Sequence, residues 1–260
     1  MLLRIEKVHK CFGGNIAVND FSMEMRDGEV VGIIGPNGAG KTTIFNLISG
    51  IYPVDRGEIF LQGENITRMP QEIRARRGIG RTFQNIRLFP TLSALDNVKI
   101  SFDYKPSYTM LEMLLHLPRK LRADREAKKG ALACLETVGL LRYANDRPAN
   151  LPYGLQRKLE IARALALAPK VLMLDEPAAG LNPEECMDLV DFLKGIIASH
   201  GVGILIIEHR MDVIMNLCDR IYVQDFGTNI ARGTPAEIQS DERVLAAYLG
   251  GGGGYVAPCE

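Results

Sequence analysis

Two short stretches of this chain carry residue types and spacings suited to phosphate chemistry. Gly35-Pro36-Asn37-Gly38-Ala39-Gly40-Lys41-Thr42 fits the pattern GxxxxGK[ST], and Thr43 extends it. Glycines at those positions let backbone N–H groups turn inward around an anion, and a following helix adds the positive end of its dipole. Lys41 is expected to reach the β- and γ-phosphates of a nucleotide, and the Thr42 hydroxyl to ligate Mg²⁺. The second stretch is Val171-Leu172-Met173-Leu174-Asp175-Glu176-Pro177, an apolar run ending in two acids. Burying adjacent carboxylates is costly unless a cation or a proton joins them. With a phosphate loop in the same chain, Asp175 is the natural Mg²⁺ partner. Glu176, one residue on, is placed to act as general base or to orient the attacking water.

These residues need elements to hold them. Val30–Ile34, Val171–Leu174 and Gly203–Ile207 are short runs, apolar on both faces and bounded by Gly, Pro or charge, as buried parallel strands are. Pro183–His200 places Cys186, Leu189, Val190, Leu193, Ile196 and Ile197 at helical spacing. Strand, helix, strand predicts an α/β fold with a parallel sheet. Leu2–Val8, Ala17–Met25 and Gly57–Gln62 read as antiparallel strands flanking the first parallel one. The middle of the chain, from about Asn85 to Asn150, reads as mostly helical, with Lys120–Lys129 as a solvated helix face. A helical subdomain inserted at about 85–165 is therefore expected within a domain spanning 1–249. The five glycines at 250–254 open a tail, 250–260, expected to be flexible.

Composition narrows the classes. In 260 residues, 31 Lys and Arg balance 31 Asp and Glu, so bulk positive charge does not recommend a nucleic-acid partner. At 47% apolar and 24% charged, the chain is an ordinary globular one. Charges in Met1–Lys7 stand where a signal peptide needs an apolar block, so no targeting segment is expected. The longest apolar runs fall far short of the ~20 residues that cross a bilayer. Cys11, Cys134, Cys186, Cys218 and Cys259 form no CxxC pair and are expected to be reduced thiols, and the dispersed histidines argue against a zinc cluster. Together these suit a cytoplasmic protein.

Three residues gain meaning only beside the phosphate loop: Gln84 after the run Arg81-Thr82-Phe83, His209 after the strand ending at Ile207, and Phe12 before Gly13-Gly14. Alone, each would read as surface, structural or core. With Leu151-Pro152-Tyr153-Gly154-Leu155 before the Asp175 strand, the order becomes specific. Phe12, Gly35–Thr42, Gln84, Leu151–Leu155, Asp175-Glu176, Ala179–Asn182 and His209 follow one another as do the aromatic loop, P-loop, Gln loop, signature, Asp-Glu strand, D-loop and switch histidine of the nucleotide-binding subunits of ABC transporters. The chain resembles that family over residues 1 to 249. Arg81–Gln84, Asp175–Pro183, Ile207–Met211 and Ala246–Leu249 are similar to the ATP-binding subunits of branched-chain amino-acid importers, the LivG-like group. Urea and short-amide importers have closely similar subunits.

The resemblance implies a P-loop NTPase fold with an antiparallel β subdomain and an inserted helical subdomain. It implies ATP and Mg²⁺ as cofactors. Phe12 would stack on adenine; Asn37, Gly38, Ala39, Gly40, Lys41, Thr42 and Thr43 would hold phosphates; and Thr42, Gln84 and Asp175 would surround the metal. Glu176, His209 and Gln84 would form the catalytic group. It implies head-to-tail dimers in which one chain's signature, here Tyr153 and Gly154, completes the other's site, with closure on ATP binding passed through Gln84 to separate membrane permease subunits fed by a periplasmic or extracellular solute-binding protein. The location implied is peripheral, on the cytoplasmic face of the membrane. The signature departs from LSGGQ: Pro152 replaces serine, Tyr153 the first glycine and Leu155 the glutamine. Proline has no hydroxyl and no N–H. That favours a heterodimer with a second ATPase subunit over a homodimer. A non-transport ABC ATPase, an exporter subunit and a poorly hydrolysing regulatory subunit are the alternatives.

Overall fold

The computed structural model describes residues 1–102 and 118–249. The expected tail at 250–260 lies outside the described residues. The chain divides into two compact units, one of Met1–Arg81 with Lys170 onward, the other of Thr82–Pro169.

The first unit contains two sheets. Strands β1 (Leu3–Phe12), β2 (Asn15–Met25), β4 (Arg56–Leu61) and β5 (Glu64–Asn65) form an antiparallel sheet in the order β2-β1-β4-β5. The second sheet runs β10-β9-β3-β8-β7-β6, from β3 (Val30–Ile34), β6 (Ile79–Arg81), β7 (Val171–Asp175), β8 (Gly203–Ile207), β9 (Arg220–Asp225) and β10 (Thr228–Gly233). It is parallel from β9 to β6, and only β10 is antiparallel. Every residue of β3, β7 and β8 is buried, which explains their unbroken apolar runs. The antiparallel strands flank β3 in sequence but pair in a sheet of their own. The β9–β10 hairpin, whose apolar stretches are short and broken by polar residues, gave no comparable signal.

Helix α1 (Lys41–Ser49) buries Ile44, Phe45, Leu47 and Ile48 in one core with Ile5, Phe21 and Met23 of the antiparallel sheet and Val31, Ile33 and Tyr222 of the other. Tyr222 Oη also accepts the Glu24 N–H at 3.2 Å, tying β9 to β2. The C-terminal end of α1 is held by Arg74, on α2 (Gln71–Arg77) and 1% exposed. Its guanidinium donates to the carbonyls of Leu47 at 2.5 Å, Ile48 at 2.9 Å, Met69 at 2.8 Å and Thr67 at 2.6 Å. A cation there complements the helix dipole and satisfies orphan carbonyls, while burial pulls its pKa down to about 10.

The remaining helices of this unit are α6 (Pro183–His200), α7 (Met211–Leu217), α8 (Pro235–Gln239) and α9 (Glu242–Leu249). Asn182 starts α6 with a capping box closed by Glu185, and Pro183 occupies the first turn. The periodic Cys186, Leu189, Val190, Leu193 and Ile196 are its buried face. Cys134, Cys186 and Cys218 are free thiols. Cys11 is disulfide-bonded, which departs from the expectation of reduced cysteines; it is only half-buried, near the β1–β2 turn.

The second unit contains α3 (Ala94–Lys99), α4 (Pro118–Thr137) and α5 (Tyr153–Leu165). Ala94, Val98, Ala131, Leu135, Leu159 and Ala162 are buried in it. Arg122, Arg125, Glu126, Lys128 and Lys129 of α4 are exposed, as the charge run predicted. No described helix is long and apolar enough to cross a membrane.

Candidate active site

The phosphate loop connects the buried strand β3 to α1. Its turn depends on two glycines. Gly35, at φ 149°, has no room for a side chain: a Cβ would sit 2.0 Å from the Gln224 carbonyl oxygen. Gly40, at φ 93°, caps α1, and a Cβ there would lie 2.2 Å from the Ala17 carbonyl oxygen. The missed hairpin contributes here, because the Gly227 N–H donates to the Ala39 carbonyl at 3.1 Å and the Gly227 carbonyl accepts from Asn19 at 2.8 Å. The loop is thus clamped between β2 and the β9–β10 turn.

A cavity of about 240 Å³ is lined by Ala17, Asn37, Gly38, Ala39, Gly40, Lys41, Thr42, Thr43, Glu176 and His209. A groove of about 780 Å³ over the antiparallel sheet is larger, but none of these residues lines it, so chemistry rather than volume marks the site. Lys41 is buried, and its Nζ donates to the carbonyls of Gly35 at 2.7 Å and Pro36 at 2.8 Å. Burial lowers its pKa; the charges of Glu176 and Asp175 oppose that shift.

Strand β7 delivers the two acids to different surroundings. Asp175 is 4% exposed and paired with Arg81 Nη2 at 3.0 Å. Arg81, at the end of β6, also donates to Asn46 Oδ1 at 2.7 Å and Ser49 Oγ at 2.9 Å, so it joins Asp175 to α1. Glu176 has φ 48°, a left-handed conformation rare for a residue with a Cβ. Its N–H continues the ladder to the Ile207 carbonyl at 2.9 Å, while its Oε1 meets His209 Nε2 at 2.9 Å. The strained turn therefore aims the second carboxylate at the histidine beyond β8.

Glu208, in contrast, points inward and is 2% exposed. Its carboxylate accepts N–H groups from Ala178 at 2.6 Å, His209 at 3.1 Å and Arg210 at 3.4 Å. Burial raises its pKa, against the lowering effect of those three donors.

The remaining expected residues lie elsewhere. Phe12 does not line the cavity; its ring is 42% exposed and meets Tyr52 edge-on, centroids 5.1 Å apart. Gln84, Tyr153 and Gly154 belong to the second unit. There Pro152 caps α5 without a side-chain hydrogen bond; its carbonyl accepts from Leu155 and Gln156, both at 3.0 Å. The half-exposed Tyr153 accepts from Arg157 Nη2 at 3.2 Å. Arg157, 1% exposed, also donates to the carbonyls of Phe83 at 2.8 Å and Gln84 at 2.9 Å and pairs with Glu160 at 3.0 Å. Glu160 accepts from the N–H groups of Phe83 at 3.3 Å and Arg87 at 3.4 Å. A buried ion pair thus fastens the Gln84 backbone to α5.

A family profile described as "ABC transporter" matches residues 18–179, and the chain is 44% identical over 249 residues to the high-affinity branched-chain amino acid transport ATP-binding protein LivG of Salmonella typhimurium, covering 96% of this chain and 98% of LivG. The chain belongs to the ATP-binding subunits of the ABC transporter family. Its C-terminal residues 228–253 match a second profile, "Branched-chain amino acid ATP-binding cassette transporter". BraF of Pseudomonas aeruginosa, a high-affinity branched-chain amino acid transport ATP-binding protein, is 42% identical over 96% of this chain and 98% of its own length. Among solved structures, the ADP conformation of MJ1267, an ATP-binding cassette of an ABC transporter, superposes with a TM-score of 0.83 at 32% identity, covering 96% of this chain and 98% of that one. The fold is that of an ABC nucleotide-binding cassette, a P-loop NTPase, and the chain is a nucleotide-binding ATPase subunit.

Sequence reasoning missed Arg81 and Glu208 as parts of this arrangement. Arg81 enters the sequence reading only as part of the Arg81–Gln84 motif, with no role of its own. The one available signal for Glu208 is an acid directly after the buried run Gly203–Ile207, where an unsatisfied charge would be costly.

Proposed function

We propose that this chain powers an importer of branched-chain amino acids by hydrolysing ATP, with Glu176 polarising the attacking water and His209 holding the γ-phosphate side of the site. The observation that carries the hydrolytic part is the Glu176–His209 contact of 2.9 Å on the lining of the phosphate-loop cavity. The matching C-terminal profile and the two transport relatives support the substrate class. Lys41 exchanges the Gly35 and Pro36 carbonyls for phosphate oxygens, and the loop N–H groups and the α1 N-terminus hold the rest of the charge. The geometry asks for positioning more than covalent chemistry, which suits phosphoryl transfer.

The donors fit Mg²⁺, which takes oxygen ligands and commonly uses one or two carboxylates with substrate phosphates. Thr42 lines the cavity and Asp175 stands buried at the β7 end, and among the described residues no group of three or more His, Cys, Asp or Glu offers a separate metal cage. Thr42 and Asp175 would hold the ion, which would neutralise charge on the phosphates. Gln84 joins this group on its motif alone. Phe12 offers an exposed ring to adenine.

Tyr153 and Gly154 would serve the site of a second, different ATPase subunit, and that subunit would complete this one. The pair would sit on the cytoplasmic face of a membrane, against permease subunits served by a solute-binding protein. Uptake of labelled leucine, isoleucine, valine and urea in cells lacking this chain tests the whole reading. Rescue of branched-chain uptake by wild type and not by Glu176→Gln is the expected result. Rescue of urea uptake alone would overturn the substrate, and no change in any uptake would overturn the transport role.

A further inference from the structure

We propose that Glu208 is a positioning residue for hydrolysis, latching the turn that follows Glu176 to the turn that carries His209. The inference rests on the roles proposed above for those two residues. The Glu208 carboxylate bridges two chain segments 30 residues apart: one oxygen takes the Ala178 N–H at 2.6 Å, and the other takes the N–H groups of His209 at 3.1 Å and Arg210 at 3.4 Å. A second tie runs parallel to it, from Arg210 Nη1 to the Leu181 carbonyl at 3.1 Å. Between them the segments 176–182 and 207–210 are fixed at both ends. The Glu176–His209 contact spans the same two segments.

The chemistry of the latch is specific. All three partners of Glu208 are donors, so the group must be acceptor-only, as an ionised carboxylate is. Glutamine has the same shape but turns an NH₂ donor towards at least one N–H. One half of the latch then opens, and a buried N–H loses its partner. Because the Glu176 backbone is held at φ 48°, it needs surrounding ties to persist there. Freeing Ala178 or His209 lets the Glu176–His209 distance drift, and misplacement on the scale of 1 Å costs about a hundredfold in rate.

Steady-state and single-turnover hydrolysis by the full chain in its transporter complex, with ADP affinity by calorimetry, tests this. Glu208→Gln is expected to lower kcat about tenfold or more while KM for ATP and ADP affinity change by less than about threefold. Added to His209→Ala, it is expected to cost less than about twofold further, because the positioned contact is already gone. Glu208→Asp, which keeps the acceptor but shortens it, should fall between wild type and Glu208→Gln. Wild-type kcat in Glu208→Gln overturns the proposal, as do effects of Glu208→Gln and His209→Ala that multiply. Parallel loss of ADP affinity and kcat in both Glu208 variants would mark a scaffold role and overturn it too. Unchanged hydrolysis by Glu176→Gln or His209→Ala would instead remove the reading on which it stands.

Discussion

The phosphate-loop site and the Leu151–Leu155 segment are built on opposite principles. In the first, side chains do the work and strands aim them: Lys41, Asp175, Glu176 and His209 each follow or end a buried strand or open a helix, and each has a hydrogen-bond or ion-pair partner. In the second, the backbone does most of the work. Pro152 caps α5 through its carbonyl alone, and the only side-chain hydroxyl at the helix start, on Tyr153, is bonded to Arg157. On the proposed reading, the chain keeps the side chains that hold and hydrolyse its own nucleotide, while what it would lend to a second site is reduced to main-chain groups and one tyrosine.

The largest expected effect is at Glu176. Glu176→Gln should lower hydrolysis by about 10²–10⁴-fold, the range for losing a general base, with ATP affinity little changed in equilibrium binding. A rate close to wild type would leave the His209 pair without a catalytic purpose. Next in size, Lys41→Ala should weaken nucleotide binding about ten- to a hundredfold, since a charge-assisted bond to the β-phosphate worth about 1.5–3 kcal/mol is lost; calorimetry with ADP checks it. Asp175→Ala leaves the Arg81 guanidinium buried without its carboxylate. It should destabilise the nucleotide-free chain by about 3 kcal/mol in thermal unfolding, and a further Arg81→Leu should recover part of that.

Much of this site was legible before any coordinates. The phosphate loop and the Asp-Glu strand are each written in contiguous residues whose chemistry constrains their spacing, while His209 stood out only by its place in the order of motifs. What was hidden is what binds segments distant in sequence. Arg81 and Asp175 are 94 residues apart and Arg157 and Phe83 are 74 apart, and a single charged residue gives no sign that it is buried. The Gly227 clamp was hidden for another reason: β9 is a short buried run between charged ends, β10 is mostly polar, and the two meet at an ordinary turn, so nothing marked the hairpin as a support of the phosphate loop. The antiparallel strands were readable, yet their separation into a sheet apart from β3 depends on pairing that local pattern does not encode.

Smaller effects are expected at the Leu151–Leu155 segment and at the Lys41 amine. Pro152→Ser returns a capping hydroxyl to α5, worth about 1 kcal/mol in helix stability. It should also raise the ATPase rate of the chain on its own several-fold; an unchanged rate would mean that the missing hydroxyl is not what limits it. The smallest effect concerns the cost of holding Lys41 charged. Its pKa is lowered on folding by burial, so the protonated amine opposes folding at neutral pH, and that penalty fades as pH rises from the folded value towards the unfolded one near 10.4. Lys41→Met should therefore raise the melting midpoint of the nucleotide-free chain slightly at pH 7, with the advantage shrinking as the pH approaches 10.

The proposed function gives this chain an intact hydrolytic site and a weakened signature. ATP hydrolysis by the purified chain, alone and with the second ATPase subunit of its transporter, tests it most directly. Slow turnover alone, about tenfold or greater stimulation by the partner, and loss of most of that stimulation when this chain carries Glu176→Gln are expected. Turnover by the chain alone as fast as by the mixture would contradict it.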